Sequence, residues 1–238
     1  MKAVILAGGL GSRLKPFTEV IPKPLLPVGE SSVLEIQIMS LARFGFDEVY
    51  VATNYMADYI EAFLGKGDQY GVRLTFSRET MPLGTCGPLS LLKGELTEPF
   101  LLMNGDILTT VNFREILEYG MASDADLTVV TKEFVTPFNF GKVTKDGPYI
   151  VAIEEKPNLR VEVLAGIYVI KPPVMAQIPD QQYYGMDTLI NSMLRSHQKV
   201  AGFSLPGYWL DIGQAEDFQA ARTNYSQLFG HLKKQTGK

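Results

Sequence analysis

The chain is short of the residues from which many sites are built. It has one cysteine, Cys86, and two histidines in 238 residues. A single cysteine cannot close a disulfide within the chain and argues against a zinc site made of cysteines. No serine–histidine–acid set for nucleophilic catalysis can be picked out, and the histidines, His197 and His231, lie far from every motif and read as surface residues. Long apolar runs are also missing. The first, Ala3-Val4-Ile5-Leu6-Ala7, stops at Gly8-Gly9, too short for a membrane span or for a signal segment with a cleavage site. A cytoplasmic location is the default expectation. No basic stripe is present: 22 Lys and Arg are interspersed with 26 Asp and Glu, for a net charge of −4. That pattern argues against nucleic-acid and membrane-surface partners. There is no repeat and no low-complexity linker.

What remains is an ordinary globular composition, 46% hydrophobic and 20% charged, with a clear alternation of strand and helix. Strands are expected at Val4–Ala7, 48–53, 74–76, 100–103 and 127–131, with helices at 33–44, 57–64, 112–122 and a helix start at 88–93. Strands nearly continuous in apolar residues, separated by helices, predict a mostly parallel sheet covered on both faces. Beyond about residue 135 the pattern changes to short β pieces at 141–143, 150–153 and 165–170, then helices near 186–196 and 215–229. Asp187 is read as a cap of the first of these helices. The tail from His231 to Lys238 is polar and expected to fray.

Gly8, Gly9 and Gly11 follow the first strand in Leu6-Ala7-Gly8-Gly9-Leu10-Gly11-Ser12-Arg13-Leu14. Ligands of open α/β sheets sit beyond the carboxyl ends of strands. Glycines let the backbone approach a ligand closely, and Arg13 adds a planar cation suited to phosphate oxygens. The spacing is neither a Walker loop nor a dinucleotide fingerprint. Lys23 stands between Pro22 and Pro24, which stiffen its backbone and keep it out of helix. It could close over the same phosphates. Asp106 ends an apolar strand in Asn104-Gly105-Asp106, and Asp211 lies in Trp209-Leu210-Asp211-Ile212-Gly213. A carboxylate set in apolar surroundings requires a cation nearby, and Mg²⁺ favours one or two carboxylates together with phosphate oxygens. Trp209 reads as packing beside Asp211, and Cys86 as a buried small residue.

The run Leu6 to Leu14, with Pro16, Thr18 and Pro22-Lys23-Pro24, resembles the signature of the sugar-phosphate nucleotidyltransferases. The resemblance spans roughly residues 2 to 225. It implies a three-layer α/β/α Rossmann-like fold with a mostly parallel mixed central sheet. It also implies one domain over 1–238, with a nucleotide half to about 135 and a sugar-phosphate half over about 136–230. Gly8, Gly9, Gly11 and Arg13 would hold the triphosphate, with Leu6, Ala7, Ser12 and Lys23 also at the nucleotide; Arg13, Lys23 and Asp106 would be catalytic, and Asp106 with Asp211 would bind Mg²⁺. Gly105 belongs with the nucleotide site.

The stretch Glu79-Thr80-Met81-Pro82-Leu83-Gly84-Thr85-Cys86-Gly87-Pro88-Leu89 is similar to that of mannose-1-phosphate guanylyltransferases, with Cys86 in place of the usual alanine. Glu79 is acceptor-only and suits guanine, which presents adjacent N–H donors. Glu79, Pro82, Gly84 and Thr85 are therefore expected around the base, and GTP is the favoured triphosphate. Glu155-Lys156-Pro157 resembles the family's Glu-Lys-Pro motif, which implies that Glu155 meets a sugar hydroxyl and Lys156 the sugar phosphate. Gly141 and Gly166 fall in two further matching strands, although Phe140 replaces a usual tyrosine and Leu164 a common asparagine. Those departures leave the sugar open, and oligomerisation is open too. Uridylyl-, thymidylyl- and cytidylyltransferases are alternatives. So is a non-catalytic module that senses nucleotide sugars, but such a module would be expected to have lost Arg13, Lys23 or an aspartate, and all are present. A β-helix extension found on longer relatives is not expected from this sequence.

Overall fold

The computed structural model describes residues 1–234. Its strands are β1 (Lys2–Leu6), β2 (Glu48–Thr53), β3 (Arg73–Arg78), β4 (Phe100–Asn104), β5 (Ile107–Thr109), β6 (Leu127–Pro137), β7 (Lys142–Asp146), β8 (Tyr149–Glu154), β9 (Asn158–Ile170), β10 (Val200–Ser204) and β11 (Trp209–Asp211). The helices are α1 (Val33–Arg43), α2 (Ala57–Leu64), α3 (Phe113–Ala122), a single turn α4 (Pro172–Met175), α5 (Met186–Arg195) and α6 (Ala215–Leu228). Seven strands form one sheet in the order β10-β6-β9-β4-β1-β2-β3. Only β9 runs against its neighbours, β4 and β6. The sheet is therefore mixed and mostly parallel, and it takes strands from both halves of the chain.

Alternate strand residues feed opposite faces. Ala3 and Ile5 join α1, α2 and α3 on one side, whereas Val4 packs with α4 and α5 on the other. The buried face of α1 is started by a full capping box, in which the Ser32 hydroxyl accepts from the Glu35 N–H and Glu35 accepts from the Ser32 N–H.

A third, smaller core matters most for the site. Leu14, Leu26, Val33 and Ile36 pack there with Leu108, Ile212, Ala221, Tyr225 and Phe229. It ties the long loop after β1 to the antiparallel pair β5–β11 and to α6.

The outer halves of β6 and β9 leave the sheet after a register shift between Val129 and Thr131. Such bulges let a strand change direction, and here Gly166 takes the left-handed conformation at φ 69°. Together with the β7–β8 hairpin these outer strands form an arm. Every residue of β7 and β8 is exposed.

Three expectations change. The helix start at 88–93 is a 3-10 helix over Gly87–Leu92, because Gly87 and Pro88 open it and its start lies close against the 182–184 backbone. Asp187 does not cap α5: Gly185 holds the cap position, and the Met186 N–H donates to the Thr85 hydroxyl at 2.9 Å. Asp187 stands in the first turn, where its charge favours the helix dipole. The tail is tethered as far as Lys234, whose ammonium meets the buried Glu35 at 2.6 Å, while Leu232 packs on the core. Residues 235–238 lie outside the described residues.

Candidate active site

Leu6 is paired to Asn104 at the carboxyl ends of β1 and β4. The chain therefore leaves the sheet twice at one place, into the glycine loop and into Gly105-Asp106. A cleft of about 380 Å³ opens there, lined by Leu6, Gly8, Gly9, Leu10, Asn54, Glu79, Pro82, Gly84, Thr85, Asn104, Asp106 and Tyr183. Gly105 is buried between the two exits. Its N–H donates to the Leu6 carbonyl at 2.8 Å, and a Cβ there would stand 2.6 Å from that oxygen. Gly11 has φ 61°, and a Cβ on it would meet Thr18 and Lys23 at 2.8 and 2.9 Å. The loop thus folds back so that Lys23 lies against Gly11.

Asp106 and Asp211 are neighbours across β5–β11. Asp211 is registered with Ile107, and the Ile212 N–H donates to the Asp106 carbonyl at 3.0 Å. Lys23 Nζ contacts Asp106 Oδ2 at 2.5 Å, with the lysine side chain only 12% exposed. The other oxygen, Asp106 Oδ1, is buried without a hydrogen-bond partner. Asp211 sits at the open rim, yet its carboxyl titrates above the usual range. Partial desolvation is the main cause and the facing Asp106 carboxylate the next, against the pull of Lys23 and Arg13. Arg13 is exposed, and its guanidinium lies beside Asp211 and Gly213. Four charged side chains from the loop after β1, the β4–β5 turn and β11 therefore gather around Asp106, the one of them that lines the cleft.

Three of them are held by a neighbour in the chain. Leu14 beside Arg13, Leu108 two residues beyond Asp106 and Ile212 beside Asp211 all enter the small third core. The Gly213 and Gln214 N–H groups donate to Asp217 of α6, which fixes the turn after Asp211.

At the other end of the cleft Glu79 is half-buried. Burial raises its carboxyl, and the Leu83 N–H (2.8 Å, on Oε2) and the Asn54 side chain partly offset this. Its second oxygen, Oε1, lies near Gly8, where a Cβ would stand 2.8 Å away. Pro82, Gly84 and Thr85 line the same end. Cys86 is fully buried and its thiol is pushed up to about 12 by burial, which keeps it a packing residue.

Comparisons with known proteins place the chain in a family. The nucleotidyl transferase family model matches residues 2–227. The chain belongs to the nucleotidyl transferase family. It is 35% identical to the mannose-1-phosphate guanyltransferase of Yarrowia lipolytica, over 94% of this chain and 64% of that protein. It is 33% identical to a probable mannose-1-phosphate guanylyltransferase 2 of Oryza sativa subsp. japonica, over 92% of this chain and 63% of that protein. The chain spans just under two thirds of the length of these curated relatives. Among solved structures, a putative glucose-1-phosphate thymidylyltransferase from Bacillus anthracis in complex with a sucrose superposes with a TM-score of 0.78 at 25% identity, covering 100% of this chain and 98% of that one. HddC from Yersinia pseudotuberculosis complexed with GMP-PN shares the fold, with a TM-score of 0.74 at 24% identity, covering 94% and 99%.

The residues expected for the second substrate of this family member divide. Gly141 and Glu155 come together on the arm, where a Cβ on Gly141 would stand 3.3 Å from Glu155 Oε2. Lys156 follows with φ 46°, uncommon for a residue with a side chain and more so before proline. These three do not line the cleft. Gly166 does adjoin it, since a Cβ there would stand 2.7 Å from Asn104 Nδ2. Ala7 is buried in the core and Ser12 is exposed on the loop, and neither lines the cleft. Sequence reasoning missed Asn54 and Tyr183 as lining residues. Neither lies in a glycine or acid motif, so only the fold brings them in.

Proposed function

We propose that the chain transfers a nucleotidyl group from a nucleoside triphosphate to a sugar 1-phosphate and releases pyrophosphate, with GTP and mannose 1-phosphate as the favoured pair. The observation that carries this reading is the gathering of Arg13, Lys23 and Asp211 around Asp106, which lines one end of the glycine-lined cleft. The sugar-phosphate oxygen is already ionised and attacks the α-phosphorus without a base. The bond from that phosphorus to the bridging oxygen breaks, and pyrophosphate leaves. Catalysis then rests on alignment and on neutralising charge. Arg13 and Lys23 face the triphosphate charge. Lys156 receives the phosphate of the sugar, and Glu155 a sugar hydroxyl.

The acid pair fits Mg²⁺. Asp106 offers a buried oxygen with no partner, beside a second carboxylate that titrates high. Among the described residues no three His, Cys, Asp or Glu side chains cluster, and Mg²⁺ needs only one or two carboxylates when phosphate and water supply the rest. Asp106 and Asp211 would hold the ion, which as a Lewis acid offsets charge on phosphate oxygens.

GTP is favoured because Glu79 keeps Oε1 on the cleft side while Oε2 is occupied by the Leu83 N–H. The named guanyltransferase relatives support the same pair. Pyrophosphate release measured over a matrix of GTP, UTP, dTTP and CTP against mannose, glucose and heptose 1-phosphates should be highest for GTP with mannose 1-phosphate. No release with any pair would refute the reading. Glu79→Gln should narrow the gap between GTP and dTTP.

A further inference from the structure

The glutamine at position 37 is buried in the middle of α1, 2% exposed. Its side-chain amide leaves the helix and crosses to the site. Gln37 Nε2 donates to the Asn104 carbonyl at 2.9 Å and to the Ile107 carbonyl at 2.7 Å. Those two carbonyls bracket Gly105-Asp106, one at the end of β4 and the other at the start of β5. A single NH₂ group therefore spans the turn that presents Asp106. On the opposite side the turn is pinned by the Gly105 N–H on the Leu6 carbonyl.

The amide satisfies two backbone carbonyls while leaving its own acceptor, the buried Gln37 Oε1, without a partner. An apolar side chain of the same length would spare the cost of that acceptor but would take the donor away from the Asn104 and Ile107 carbonyls. What an apolar side chain cannot do is hold both ends of a two-residue turn.

We infer that Gln37 is a positioning residue: its buried amide fixes the Asn104–Ile107 turn so that Asp106 faces Asp211, and thereby sets how strongly the acid pair binds a divalent cation with the triphosphate. The inference rests on the nucleotidyl-transfer reading and deepens it. Groups that orient a metal ligand typically change metal affinity or activity about 10- to 100-fold when removed.

Calorimetric titration of GTP, with Mg²⁺ or with EDTA and without sugar phosphate, gives the gain in GTP affinity that the metal confers. Gln37→Met keeps the length and unbranched shape. It should lose about tenfold of that gain while its affinity in EDTA stays near wild type. Its KM for GTP in Mg²⁺ should rise by about the same factor, and its kcat should fall as well. Gln37→Glu sets a carboxylate against two carbonyls and should lose at least as much. Ile38→Val, an apolar core change on the same helix, should lower the melting temperature and leave the gain unchanged.

A wild-type gain and a wild-type kcat in Gln37→Met would overturn the inference and leave the acid-pair reading standing. Loss of a cooperative melt in both Gln37 variants would mark the amide as a stability element and overturn it as well. If wild type itself gained nothing over Asp106→Ala, the acid-pair reading would fall first, and the inference with it.

Discussion

Asp106 and Asp211 each precede an isoleucine, Ile107 and Ile212, that is 1% exposed. Glu155 and Gly141 sit at the ends of a two-stranded hairpin that is exposed along its whole length. Both regions carry polar residues expected to meet a phosphate-bearing substrate, but they hold them differently. At the cleft, the charged groups are chain neighbours of a packed core, so their positions are set before any ligand arrives. On the arm, a hairpin with no core of its own is only marginally stable by itself. It is anchored through the long ribbon of β6 and β9 and through the Phe138 N–H on the Pro157 carbonyl at 2.9 Å. Preorganised groups suit charge that develops during reaction. An exposed arm suits recognition of the second substrate.

If this contrast is right, substitutions in the two regions should have different signatures. The largest effect is expected at the cleft. Asp106→Ala should lower kcat about 100- to 1000-fold, as loss of a preorganised charge partner does, with the far-ultraviolet circular dichroism spectrum kept. Near-normal turnover would remove Asp106 from the chemistry. On the arm, Lys156→Ala should raise KM for the sugar phosphate about tenfold, the scale of one charge-assisted hydrogen bond. It should leave GTP affinity and the melting temperature within error. A kcat loss at saturating sugar phosphate would erase the distinction between the two regions.

The smallest effect tests the frame beneath the cleft. Burial pushes the Glu35 carboxyl up, but the Lys234 ammonium and the Ser32 N–H and hydroxyl outweigh it and hold the carboxyl below its usual value. A carboxyl lowered on folding stabilises the fold above its unfolded-state titration, and that contribution is lost as pH falls through the folded value. Lys234 is 43% exposed, so screening limits the pair. Lys234→Met should cost about 1 kcal/mol at pH 7. The difference from wild type should vanish on acidification through the carboxylate range, as read by urea melts at several pH values. A difference independent of pH would mean that Lys234 acts through its place over the Tyr70 ring instead.

How much of this could be read in the sequence differs between the same two regions. The strands and helices of the first half were legible because apolar runs and periodicity fix them, and the bounds at 48–53 and 57–64 agree residue for residue. The grouping of Asp106 and Asp211 with Arg13 and Lys23 was legible because glycine, proline and an acid after an apolar strand are constrained chemically. The arm was only partly legible. Its pieces at 141–143 and 150–153 overlap only part of the strands Lys142–Asp146 and Tyr149–Glu154, and the ribbon pairing Thr131–Pro137 with Asn158–Leu164 is set by the bulge at Gly166, which no local periodicity reveals. Gln37 was invisible for a different reason. A glutamine on a helix reads as a surface residue, and only the tertiary fold turns its amide onto two carbonyls 67 and 70 residues away.

The most direct test is diffraction from crystals grown with Mn²⁺ and a non-hydrolysable GTP analogue, recorded at the manganese edge. The account predicts an anomalous peak in contact with the carboxylates of Asp106 and Asp211, the triphosphate along Gly8 to Arg13 and the guanine beside Glu79. Manganese away from both aspartates, with the triphosphate off the glycine loop, would contradict it.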